Sequence, residues 1–243
     1  MRTNRQVSLL LLAAFVAGGC MTPAGAPKIG LDRSLYPGLG DLDASEIPAA
    51  FETRVELRAP LSGGIVWLDD DRSGFHGAAL SEYLRTGILE RVAVALRRSP
   101  FEEVGSLPTT SSFQRHDDGA PPVDSIRSAA ARFQYDVAFI LQTGLATESG
   151  VNPFSIGYIG LVTAPLFPGN DVSVAAAAEL CAVDVRSGVM LGCGIGRAYE
   201  EARFLFPWRT AARSNAMHES TVARAAEDAA KDVALQIARR VSR

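Results

Sequence analysis

Five consecutive apolar residues, Val137-Ala138-Phe139-Ile140-Leu141, show no alternation. A strand with one wet face alternates apolar and polar side chains, so this run needs cover on both faces, as in a sheet with helices on each side. The stretch just before it, Val123 to Phe133, repeats Ile126, Ala130 and Phe133 at helical spacing. A helix that steps directly into a doubly covered strand points to the α/β class.

The other segments fill in around this step. Val55-Glu56-Leu57 reads as a short edge strand, and Gly64 to Leu68 as a better one. Gly77 to Arg98 carries Leu80, Leu84, Ile88, Val92, Ala95 and Leu96 every three or four residues, with Glu82, Arg85, Arg91 and Arg98 left for the wet side. Pro100 ends this helix, because the residue before a proline avoids helical angles. Phe101 to Val104 is a short strand, residues 106–122 a polar loop, and Tyr135 to Leu145 the central strand. Val172 to Val185 and Val189 to Tyr199 form a hairpin around Arg186-Ser187-Gly188, where Gly188 can take the positive φ of a three-residue turn with a bulge. Ser220 to Val241 is a helix whose stripe is Val222, Ala226, Ala229, Val233, Ile237 and Val241; its alanines allow close packing on a sheet. The expectation is one α/β domain of order β-α-β-α-β-β-β-α. Its mixed sheet is packed by about three helices, parallel where helices join the strands and antiparallel in the hairpin.

The first residues are an address. Arg2 and Arg5 precede an apolar run from Val7 to Ala17, and Ala17-Gly18-Gly19-Cys20 closes it. The run is too short to span a bilayer, which takes roughly 20 residues. Small residues before a cysteine at the end of such a run fit a bacterial lipoprotein signal, although Leu is commoner where Ala17 stands. Residues 1–19 would be removed. Cys20 would carry diacylglycerol on sulfur and a third chain on its amine, and more than one chain makes anchoring stable. Met21 is not the Asp of inner-membrane retention, which favours the outer membrane, facing the periplasm. Residues 20–50, rich in Pro, Gly and Ala, read as a tether, and 51–243 as the domain. Within the tether, Ser34-Leu35-Tyr36-Pro37-Gly38 forms a local apolar spot.

Cleavage leaves 224 of the 243 residues and a net charge near −5. That supports one good core. With no basic block, nucleic acid is not expected as a partner. The implied partners are the membrane, through the acyl chains, envelope proteins, and further copies of the chain.

Two cysteines remain, Cys181 and Cys193. If Val185 pairs with Val189 across a three-residue turn, Cys181 falls opposite Cys193, on the face carrying Val183, Val185, Val189 and Leu191. Opposite Cβ atoms about 4.5–5.5 Å apart lie near disulfide range, and the periplasm permits oxidation. A cross-strand disulfide and two buried thiols are both open. Asp69-Asp70-Asp71-Arg72-Ser73-Gly74 has the opening of a calcium loop, but Leu80 stands where its closing Glu is needed, so a helix cap is the better reading. His76, His116 and His218 sit in segments read as surface or loop. No nucleophile elbow, phosphate loop or dinucleotide loop is present, and Gly192, Gly194 and Gly196 read as sites of close strand approach. No catalytic residue, metal or cofactor is expected.

The element order resembles the periplasmic lipoprotein domain of the curli-secretion channel subunit. The same domain occurs in the lipoprotein activator of penicillin-binding proteins and at the N-terminus of the Tol–Pal translocation protein. The marks are Ala129 to Ala138 at the helix-to-strand step and Val183 to Leu191 in the hairpin. A closer resemblance is to the rhombotarget lipoproteins, through Ser34-Leu35-Tyr36-Pro37, Ile159-Gly160-Leu161-Val162 and Pro168-Gly169. These resemblances imply a non-catalytic envelope protein that contacts other proteins, and they carry over no catalytic residue.

The candidate contacts are two apolar segments. Residues 148–170 hold Phe154, Ile156, Tyr158, Ile159, Leu161, Val162, Leu166 and Phe167 between Pro153 and Pro168. In the curli channel a segment at this place joins the membrane barrel, but barrel strands need about ten alternating residues, which are missing here. The segment reads as a membrane contact, a partner site or a packed flap. The second segment is Phe204-Leu205-Phe206-Pro207-Trp208. The expected role is scaffold, adaptor or accessory factor of an envelope complex. The alternatives are an oligomeric secretion-pore subunit and an envelope hydrolase, the latter opposed by the missing nucleophile motif.

Overall fold

The structure, a computed structural model, describes residues 55, 57–68, 82–98, 100–108, 122–151, 170–204 and 210–241. The signal, Cys20, the tether, Asp69 to Gly74, His76, His116, most of the 106–122 loop, Phe154 to Phe167, Phe206 and Trp208 lie outside the described residues.

Five strands and three helices follow the expected order. They are β1 (Leu61–Trp67), α1 (Glu82–Leu96), β2 (Phe101–Ser106), α2 (Pro122–Arg132), β3 (Val137–Val151), β4 (Asn170–Asp184), β5 (Met190–Phe204) and α3 (Thr210–Val241). The sheet order is β2-β1-β3-β4-β5. β1 is parallel to β2 and to β3, while β3, β4 and β5 are mutually antiparallel. Val55 and Leu57 form no strand; they pack partly buried against the core beneath α1 and α3.

Val137 to Leu141 are all fully buried, as their unbroken apolar run requires. On one face Ile65, Phe139, Leu141 and Leu180 meet Ile88, Val92 and Leu96 of α1 and Val222, Ala226, Ala229, Val233 and Ile237 of α3. On the other, Val66, Ala138, Ile140, Cys181 and Val183 meet Val123, Ile126 and Ala130 of α2. Phe133 is not on that stripe. It lies past the helix end, 54% exposed, stacked on Tyr135. The helix stops there because Gln134 turns left-handed at φ 61° and the Tyr135 amide donates back to the Ala130 carbonyl, a C-terminal cap.

Three elements run further than their patterns suggest. β3 continues past Leu145 to Val151, β5 past Tyr199 to Phe204, and α3 begins at Thr210 rather than near Ser220. Met217 explains the added helix, since it is buried on Val172 and Val174 of the extended β4. Strands of 15 residues reach about 50 Å, and α3 of 32 residues spans about 48 Å, so the helix backs the long strands over their whole length.

The three glycines of β5 face α3, not another strand. A Cβ on Gly194 or Gly196 would run into the carbonyl oxygens of Ala229 or Ala225. The small residues of helix and strand together allow this close approach.

Candidate functional site

The β4–β5 pair carries the described candidate residues. Its turn is longer than three residues. Asp184, not Val185, pairs with Val189: the Asp184 amide donates to the Val189 carbonyl and the Gly188 amide to the Asp184 carbonyl. Gly188 has φ 77°, and the Asp184 carboxylate accepts from the Ser187 amide and hydroxyl. Arg127 of α2 braces the turn by donating to the carbonyls of Val185 and Arg186. The longer turn would offset the cysteines, but the register shifts once more between Ala182 and Val183, and Cys181 again falls opposite Cys193. The shift also turns Leu191 to the other face. It packs with the α1 and α3 core, while Cys193 packs with Cys181, Val183 and Val185.

The two sulfurs lie at bonding distance, 2.04 Å, with Cα atoms 4.1 Å apart. Gln236 of α3 donates to the Cys193 carbonyl at 2.9 Å, so that carbonyl points away from β4. Backbone groups of an antiparallel strand point alternately toward and away from a neighbour, so Cys193 and Cys181 form a non-hydrogen-bonded pair, the closer kind. The short Cα separation agrees. Buried Glu179 shares the face, and its carboxylate and both sulfurs lie within 4.8 Å of one another. Bonded to each other, the sulfurs offer no thiolate to a metal.

The ladder also fixes where the apolar segments leave the domain. Val151 pairs with Asn170, and Asn170 with Phe204. Segment 152–169 joins the first two, and 205–209 follows the third, so both are rooted at one corner of the sheet. The first described residues lie at the opposite end. Leu61 starts β1, Gly63 pairs with Val137 at the start of β3, and Leu57, Arg58, Pro60 and Leu61 line a groove with Asp136, Asp184 and Arg186. Ser62 fastens that end, its amide and hydroxyl donating to the Asp136 carboxylate at 3.1 and 2.9 Å.

His218 lies on α3, not in a loop. Its Nε2 is 2.9 Å from the Thr147 hydroxyl and 3.2 Å from the Ser214 hydroxyl. Partial burial holds its pKa below the usual value of 6.5. Among the described residues no carboxylate bonds the ring, so the orienting partner of a Ser–His–acid triad is missing there. Nearby, Glu200 accepts from Arg224 at 2.6 Å and from Ser220 at 2.8 Å, tying α3 to β5.

No protein-family model and no curated protein matches the chain. Several solved structures are similar in part. A variant of PelC from Paraburkholderia phytofirmans, crystallised as a dodecamer, is 13% identical with a TM-score of 0.34, over 73% of this chain and 95% of that one. The lipoprotein GNA1162 from Neisseria meningitidis is 14% identical with a TM-score of 0.33, over 66% of this chain and 97% of that one. A minor lipoprotein from Acinetobacter baumannii is 11% identical with a TM-score of 0.29, over 76% and 92%. The class defined by the structure itself is a single mixed α/β domain with a five-stranded sheet between helices. Among the described residues, no helix is long and apolar enough to cross a membrane.

Proposed function

We propose that the chain is an acylated lipoprotein of the bacterial envelope, of the rhombotarget kind. It is anchored in the outer membrane through Cys20, faces the periplasm, and acts without catalysis as an adaptor or accessory factor. The observation that supports the reading is that the chain leaves the sheet for both apolar segments at one corner, beside Val151, Asn170 and Phe204, while Leu61 begins β1 at the other end. Such a layout separates anchoring from contact. The body reaches about 50 Å from one end to the other along β3. A flexible tether over residues 20–50 would add roughly 30 Å of reach, which would leave the corner from which residues 152–169 and 205–209 depart able to meet proteins away from the membrane.

The alternative of a pore subunit rests on the same two apolar segments and requires a ring. Light scattering of the lipidated protein in mild detergent separates the two. An adaptor gives a monomer or dimer, and a pore subunit gives a discrete larger oligomer.

A further inference from the structure

The outer edge of β5 pairs with no described strand. Natural sheet edges are commonly short, bulged or covered. This one keeps its register without a shift from Ala182 opposite Gly192 to Asn170 opposite Phe204. The orientation of the Cys193 carbonyl sets the parity of the strand. The N–H and C=O groups of Ile195, Arg197, Tyr199, Glu201 and Arg203 also point outward. At Cys193 the outward carbonyl is taken by Gln236; the exposed part of the edge begins beyond it. Ile195 is 56% and Tyr199 45% exposed. The side chains of these residues lie on the face away from α3, because Gly192, Gly194 and Gly196 face the helix.

We infer that this edge is a homodimer interface, in which β5 pairs antiparallel with β5 of a second copy about a two-fold axis at Tyr199. The charge pattern selects that register. Backbone hydrogen bonding requires outward-pointing residues to meet one another. Centred on Tyr199, the pairing sets Arg197 opposite the partner's Glu201, twice by symmetry, and Tyr199 opposite the partner's Tyr199. Moving the centre to Glu200 sets Arg197 against the partner's Arg203, and centring on Arg197 or Glu201 sets that residue against itself. Moving it to Ala198 leaves both charges facing uncharged side chains. Opposite charges directly across a ladder stabilise it and like charges weaken it, so the Tyr199 register is the favourable one. A two-fold pairing uses the edge up and closes the assembly, so it does not propagate as a fibre. This inference does not depend on the adaptor reading.

The test is the mass of the full-length, lipidated protein in mild detergent across a dilution series. The wild type forms a dimer. Arg197→Glu faces the partner's Glu201 and raises the dimer dissociation constant by at least about tenfold. The double variant R197E/E201R restores pairing, which separates a lost interface from a lost fold. Tyr199→Cys crosslinks two chains on mild oxidation, since hydrogen-bonded partners have Cα atoms about 5.5 Å apart, within disulfide reach. Arg197→Cys does not, because the two copies of that residue lie four positions apart along the ladder. A monomeric wild type overturns the inference. So does a dimer that R197E leaves intact, or equal crosslinking at positions 197 and 199.

Discussion

Cys181 faces Cys193 in a non-hydrogen-bonded pair of β4 and β5, with Cα atoms 4.1 Å apart, because a bulge beside Leu191 offsets the longer turn after Asp184. The bond closes a short loop and ties the outer strand of the sheet to its neighbour. Intact mass of the protein before and after reduction in denaturant is expected to differ by two hydrogens. Replacing both cysteines by alanine is expected to cost about 3 kcal/mol in chemical denaturation, as for other loops of this size. Free thiols in the unreduced protein would contradict the pairing.

Close packing of α3 on β5 predicts a graded response to adding one methyl group. Gly196→Ala drives a Cβ into the Ala225 carbonyl oxygen, so helix and strand must part, and about 3 kcal/mol of stability is lost. Gly192→Ala meets the side-chain end of Gln236, which can swing away, so the loss is smaller. Gly87, inside α1, has nothing within 4 Å of an added Cβ; its change to alanine is expected to stabilise by about 0.5–1 kcal/mol. Urea midpoints should rise from Gly196→Ala through Gly192→Ala to Gly87→Ala.

His218 gives the domain a pH dependence of known sign. Burial lowers its pKa in the folded state below 6.5, so the unfolded chain takes up the proton first as pH falls. The unfolded state then binds more protons, and stability falls with pH. The histidine's contribution is whole above the unfolded pKa and is lost as pH drops through the lower folded one. Urea midpoints should decline more between about pH 7.5 and 5.5 in the wild type than in His218→Gln. Equal declines would mean that His218 contributes nothing to the dependence.

Acylation at Cys20 predicts that cells given a palmitate analogue label the wild type and not Cys20→Ala. The variant should also leave the membrane fraction. Label retained by the variant would place the lipid elsewhere or remove it from the account.

The sheet's centre was legible because its signals are local. The continuous run Val137 to Leu141 demands cover on both faces, and Ile88, Val92 and Leu96 recur on one side of a helix. The outer reaches were not. Ala146-Thr147-Glu148-Ser149-Gly150 has no strand pattern of its own, and it is held by the ladder to Ser173 and its neighbours, a pairing between distant residues. Of the described side chains from Arg213 to Glu219, Met217 alone is buried, and it acquires a partner only once β4 extends beneath it. The alignment of Cys181 with Cys193 follows from a three-residue turn on paper. In the structure the same alignment arises from a longer turn and a compensating bulge, and the position of Leu191 is what distinguishes the two. The apolar segments were visible as composition, but that the chain leaves the sheet for both at one corner follows only from the pairing of Val151, Asn170 and Phe204.

The proposed contact corner is the one where residues 152–169 and 205–209 leave the sheet, opposite the end where Leu61 begins β1. Photocrosslinking amino acids placed in living cells at Tyr158 and Trp208, and as a control at exposed Tyr83 on α1, test it most directly. Discrete adducts with other envelope proteins are expected from positions 158 and 208 and none from 83. Adducts from Tyr83 alone, or none from either corner position, would contradict it.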